Sequence, residues 1–155
     1  MNKRKCIQFA FFLYLLVVIK LIVFKYPWEQ MQTIMNHWEK GVILEGLGTA
    51  NFTLLKTIRM YIRYADRLNS FENIAGNLFI FVPFGFGLPY ILRGGKNFLI
   101  MLLHAFVFVL GIETFQLFSA FGAFDVDDIL LNCMGAILGW MVYRFWYHKE
   151  REGTG

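Results

Sequence analysis

A chain of 155 residues that is 57% hydrophobic, 19% aromatic and only 17% charged lacks the polar surface that a soluble domain of this size needs. Composition therefore excludes a water-soluble protein and points to a bilayer. A net charge of +4 does not signal nucleic acid, because the basic residues gather at the chain ends and in short loops between apolar runs. There they read as topology determinants or as contacts to anionic head groups. Cys6 and Cys133 stand far apart without metal-ligand spacing, so neither a structural disulfide nor a zinc site is expected.

In chain order, the first apolar run is "CIQFAFFLYLLVVIKLIVF", residues 6–24, preceded by "NKRK". It is followed by "KYPWEQ" and not by a small-residue cleavage site, so it reads as a retained anchor, with Lys20 late enough to snorkel to the far interface. The second span is 73–92, the third 98–118 and the fourth 129–147. Each is close to the roughly 20 residues a helix needs to cross a bilayer. Pro83, with Gly85 and Gly87, predicts a kink in the second span. Trp28, Trp38, Trp140 and Trp146 suit the membrane interfaces. The expected fold is an all-α membrane protein: four transmembrane helices forming one domain, with an extracytoplasmic amphipathic segment between the first and second.

Orientation follows from the flanks. "NKRK", "RGGK" at 93–96 and "HKER" at 148–151 fall on one side of four spans, whereas the 119–128 loop has no Lys or Arg. This predicts a multi-pass cell-membrane protein with both termini cytoplasmic and the acidic loop outside. Lys56, Arg59, Arg63 and Arg67 recur at i, i+3, i+7 and i+11, opposite Leu55, Ile58, Ile62 and Leu68. That stripe fits a surface helix with its cations among lipid phosphates; a solvated loop helix is the alternative.

Polar residues then collect at one depth. Asn73 and Asn77 open the second span, Glu113 and Gln116 close the third, and Asp125, Asp127, Asp128 and Asn132 open the fourth. Asp128 and Asn132 share a helix face that Gly135 and Gly139 continue as a G-x-x-x-G pair, so this face points into the bundle. A carboxylate in a transmembrane segment costs a few kcal/mol, which makes it a functional candidate by default. Asp125 suits a cap for the fourth helix; for Asp127 the same role or plain solvation is expected. Glu113 has less structural excuse, because a helix C-terminal end disfavours an anion. His104 cannot be its partner on one straight helix, lying nine residues earlier and roughly 13 Å along the axis. Ser70 and Ser119 have no convincing His partner.

These motifs resemble the VanZ-like membrane proteins, a family named for a teicoplanin-resistance protein. The resemblance rests on Asn77, Phe81, Pro83 and Gly85, with Asn73 just upstream; then on Glu113 and Gln116; then on Asp125, Asp128, Asn132 and Gly135. It covers about residues 70–140, and "NFTLLKTI" at 51–58 is similar to a degraded form of a segment that precedes these motifs in the family. Where many members carry an arginine, three residues before the first aspartate, this chain has Gly122, which favours the antibiotic-resistance branch. A cation beside the carboxylates would then come from Arg67, Arg63 or Lys20, or not be needed.

The resemblance implies resistance to teicoplanin-type lipoglycopeptides at the outer membrane face. The expected partners are membrane lipids, and a lipid-linked cell-wall precursor or the antibiotic itself, with no nucleic acid. Binding residues would be Asn73, Asn77, Glu113, Gln116, Asp125, Asp128 and Asn132, with Arg59, Arg63 and Arg67 on the basic helix; together they suit an anionic head group. An alternative is a membrane-embedded enzyme acting on an outer-leaflet lipid or lipid-linked glycan. Glu113, Asp128 or Asp125 would then serve as general base or hold a divalent cation. A small transporter is a third reading, disfavoured because the charges sit at one interface rather than at the midplane.

Overall fold

The computed structural model describes residues 3–23, 26–36, 38, 42–65, 70–92 and 94–152. Among these, eight helices follow one another: α1 (Lys3–Ile22), α2 (Trp28–Asn36), α3 (Val42–Thr49), α4 (Lys56–Arg63), α5 (Ser70–Ile80), α6 (Val82–Ile91), α7 (Phe98–Ser119) and α8 (Val126–Glu152). Four stretches are long and apolar enough to cross a membrane: Lys5–Ile22, Phe71–Ile91, Phe98–Ser119 and Val126–Tyr147. They match the four expected spans. The fourth begins three residues before the expected 129, because Asp127 and Asp128 fall inside the first turn of α8 instead of ahead of it.

Exposed apolar side chains confirm what the composition implies. Phe9, Phe12, Leu99, Leu103 and Phe145 all lie open on the outside of the bundle, an arrangement water would penalise and lipid does not. Inside, Val18, Phe81, Phe84, Met101, Ala105, Val109 and Ala136 form the core.

The helix at its centre is α8, which packs on α5, α6 and α7. Its glycines allow backbones to touch. A methyl group on Gly135 would lie 1.9 Å from the Leu78 carbonyl oxygen, and one on Gly139 would lie 1.9 Å from that of Val82. From the other side, a methyl on Gly85 would meet the Ala136 carbonyl at 1.8 Å. The G-x-x-x-G face therefore does point into the bundle, as small residues at membrane helix interfaces do.

The second span is broken at Phe81, between α5 and α6. Pro83 has no N–H to give the preceding turn, and Pro89 lies inside α6. The Tyr14 hydroxyl from α1 donates to the Ile80 carbonyl at 2.6 Å, so a neighbouring helix satisfies a backbone group at the break.

Between the first two spans, α4 is the amphipathic helix expected there. Lys56, Arg59 and Arg63 are exposed, while Thr57, Ile58 and Tyr61 turn toward the bundle, where α4 packs on α5 and α8. Arg67 lies outside the described residues.

Candidate functional site

Nothing in the sequence beside α4 caps it. Its N-cap residue, Leu55, has left-handed backbone (φ 64) and an apolar side chain, so the first N–H groups need another acceptor. Asp127 supplies it from α8. Its carboxylate accepts the N–H of Thr57 at 2.8 Å, of Ile58 at 3.1 Å, and that of Leu55. Asp127 is 0% exposed, which overturns the expectation that it is solvated or caps its own helix. A buried anion survives here because it sits on three aligned N–H donors at the positive end of a helix.

Asp125 performs the cap expected of it: its Oδ1 accepts the Asp127 N–H at 2.8 Å at the start of α8. The same side chain does more than that. Asn51 Nδ2 donates to Oδ1 at 2.8 Å and the Thr57 hydroxyl to Oδ2 at 2.5 Å. The backbones also pair in an isolated parallel bridge between Asn51 and Asp125, through Asn51 N–H to Phe124 O at 2.8 Å and Val126 N–H to Asn51 O at 3.1 Å. Glu113, only 1% exposed, accepts the Asp125 N–H at 3.0 Å, so its position near the end of α7 is balanced by a backbone donor from the next loop. Two of the three candidate general bases thus spend carboxylate oxygens on holding this loop.

The third, Asp128, lies on the cavity side. Asn77 Nδ2 donates to its Oδ1 at 2.5 Å. Gln116, 4% exposed, sends Nε2 to the Ile22 carbonyl at 3.1 Å, tying α7 to the end of α1. With Glu72, Asn73 and Tyr61 these side chains line a cavity of about 300 Å³, bordered on its apolar side by Leu21, Ile22, Gly76 and Ile80. Burial first, and then the Asp128 and Asp125 carboxylates, push the Tyr61 hydroxyl above its ordinary value. Gly122 leaves the room that Gln116 occupies: a methyl there would come 2.8 Å from the Gln116 amide carbon. An arginine in its place would collide with that side chain.

Of the residues singled out from sequence, Asn73, Asn77, Gln116 and Asp128 meet at the cavity, and Glu113 and Asp125 form the adjoining loop network. Asn132, 2% exposed and one turn further along α8, stands outside the cavity lining, and its Oδ1 is buried without a hydrogen-bond partner. Arg59 and Arg63 are exposed on α4 and do not line the cavity, whose described lining has carboxylates and amides but no Lys or Arg. Among the described residues, no three His, Cys, Asp or Glu side chains are grouped so as to hold a metal ion. Sequence reasoning missed Asn51 and Thr57, and it noticed Asp127 but not that it caps α4. The absence of any Ser, Thr, Asp or Asn cap before Lys56 was the available signal that a partner had to come from elsewhere.

Four membrane-length helices with a carboxylate–amide network sealing one end define a polytopic helical membrane protein with a polar cavity at the end of its bundle. The chain belongs to the VanZ/LLP1 family, which it matches over residues 11–147. No curated protein and no solved structure matches it.

Proposed function

We propose that this VanZ-like protein holds its polar end at the outer face of the cell membrane and binds there the head group of a lipid or lipid-linked cell-wall precursor, conferring resistance to teicoplanin-type lipoglycopeptides. The observation that carries the reading is the cavity between α1, α4, α5, α7 and α8, in which Asn77, Gln116 and Asp128 converge beside the apolar Leu21 and Ile22. A polar recess walled on one side by lipid-facing residues suits a head group whose tail stays in the bilayer. Teicoplanin carries a lipid tail that keeps it at the membrane, near such a site; vancomycin has none.

The test is expression of the wild type, Asn77→Ala and Asp128→Asn in a susceptible Gram-positive host, with membrane abundance matched. The inhibitory concentration of teicoplanin should rise with the wild type and fall back with both variants, while that of vancomycin stays unchanged. Equal protection by all three chains would refute the cavity as the functional site. Orientation is checked separately in a Cys6→Ser, Cys133→Ser background. A membrane-impermeant maleimide should label Ala123→Cys on intact cells but not Lys96→Cys, both positions being exposed at opposite ends of α7.

A further inference from the structure

We infer that the end of the bundle opposite the polar cavity holds a second binding site, a slot between α1 and α6 that takes one acyl chain of an anionic phospholipid and keeps its phosphate at the start of α1. The inference does not depend on what the polar cavity binds. Its first support is the shape of the gap. A cavity of about 490 Å³, within the range of ligand sites, lies between the first half of α1, α6 and Trp146 of α8. Small residues open it: Ala10 on α1 and Gly87 on α6 both line it. Beside it the two helices touch where Phe11 fills the room that Gly87 leaves, since a methyl there would come 2.5 Å from the Phe11 ring.

Depth sets the length of the occupant. Ile7, Tyr90 and Trp146 line the slot near their helix ends, while Tyr14 and Pro83 line it further in. At about 1.5 Å per residue, the distance from Ile7 to Tyr14 along α1 is roughly 10 Å. The hydrocarbon of one leaflet is about 15 Å thick, half of the whole core. The slot thus stays within one leaflet and ends where the second span breaks, beside the Tyr14 hydroxyl that is already given to the Ile80 carbonyl. A transmembrane helix of another molecule would run on through the bilayer. An acyl chain ends inside its own leaflet.

Chemistry agrees with length. Among the described lining residues none is charged, and the polar side chains are Tyr14, Tyr90 and Trp146. Tyrosine and tryptophan near helix ends suit the head-group level. The charge lies outside the slot. Residues 3–5, 93–97 and 144–152 begin α1, join α6 to α7 and end α8, and they contain eight Lys or Arg against two Glu. Lys3 and Arg4 stand one turn before Ile7 in α1. Lys96 holds its ammonium 4.7 Å over the ring of Tyr147, the residue after Trp146. A phosphate at this end meets an excess of cations, while the chain below it meets only apolar and aromatic walls.

The experiment titrates full-length purified protein in detergent with phosphatidylglycerol and phosphatidylcholine of identical tails, following bound lipid and subunit number by native mass spectrometry. Phosphatidylglycerol should bind roughly fivefold more tightly, the gain expected from about one cation at a membrane surface. Lys3→Gln combined with Arg4→Gln should erase that preference. Ala10→Phe, at an exposed position that lines the slot, should remove the tightly bound lipid altogether. Val107→Phe, at an exposed position on α7 outside the slot, should leave it in place. Equal binding of the two lipids that Ala10→Phe still removes overturns the anionic head group. A preference that survives Lys3→Gln with Arg4→Gln overturns the placing of the phosphate. Lipid that stays bound in Ala10→Phe overturns the slot as its site. A two-subunit species that carries no lipid and is broken up by Ala10→Phe overturns the lipid in favour of a second copy of this chain.

Discussion

The carboxylate of Asp127 accepts the backbone N–H of Thr57 at 2.8 Å across 70 residues of sequence, and thereby caps a helix that has no cap of its own. Replacing the anion with an amide puts N–H groups against N–H groups. Asp127→Asn should destabilise the protein by on the order of 2–3 kcal/mol, between the cost of a lost cap and that of lost hydrogen bonds to a charge. The thermal midpoint in detergent measures it, with exposed Glu29→Gln as the comparison. If the two variants melt together, the cap contributes nothing.

Backbone contact at α8 makes a steric prediction. Gly135→Ala puts a carbon 1.9 Å from the Leu78 carbonyl oxygen, so α5 and α8 must separate, at a cost of about 1–3 kcal/mol or more. Gly111 on α7 is exposed, with open space around it. Gly111→Ala should stabilise by about 0.5–1 kcal/mol through helix propensity alone. Opposite shifts of the thermal midpoint are expected from the same chemical change.

Gly122 and Gln116 should be energetically coupled. Gly122→Ala crowds the Gln116 amide and breaks its bond to the Ile22 carbonyl, but that penalty vanishes once residue 116 is already alanine. A double-mutant cycle on thermal stability should return a coupling of about 0.5–3 kcal/mol. Additive effects would mean that the two side chains tolerate each other.

Tyr61 sets a pH dependence. Its hydroxyl holds its proton more tightly in the folded chain than at the ordinary value near 10, because burial, followed by Asp128 and Asp125, disfavours the phenolate. Below that pH both states are protonated and Tyr61 adds no slope. Above it the unfolded chain loses the proton first, so stability falls as pH rises toward the raised folded value. Tyr61→Phe should flatten that alkaline decline. The phenolate difference spectrum, wild type minus variant, should show one late-titrating tyrosine, shifted earlier by Asp128→Asn.

How far the sequence could be read depended on whether the reason for a feature is local. The four spans were legible because bilayer thickness imposes a length on each apolar run. The glycine face was legible because Gly135 and Gly139 are one turn apart. Asp125 could be read as a cap because the N–H it accepts lies two residues away. Asp127 could not, since its donors sit on α4 and only the folded chain brings them near. Asn51 escaped for the same reason: its importance lies in pairing with the loop at Asp125. Lys56, Arg59 and Arg63 of the basic stripe do share an exposed helix face, but which way it pointed was a tertiary matter, and these three turn away from the polar cavity.

The fastening of α4 also sets which side of the cavity is open. Three N–H groups on one buried carboxylate, plus the pairing at Asn51, rivet α4 in place, with its Tyr61 turned into the cavity. Lifting it would cost several hydrogen bonds to a charged group, each about 1.5–3 kcal/mol. The wall beside it is different. Gly76 is exposed with nothing in the space a side chain would fill, and Leu21 lies more than half open to the surroundings. For the lipid head group proposed above, the undemanding path would run sideways through that gap, along the plane of the membrane, so that a molecule already dissolved in the bilayer would arrive without the protein having to open.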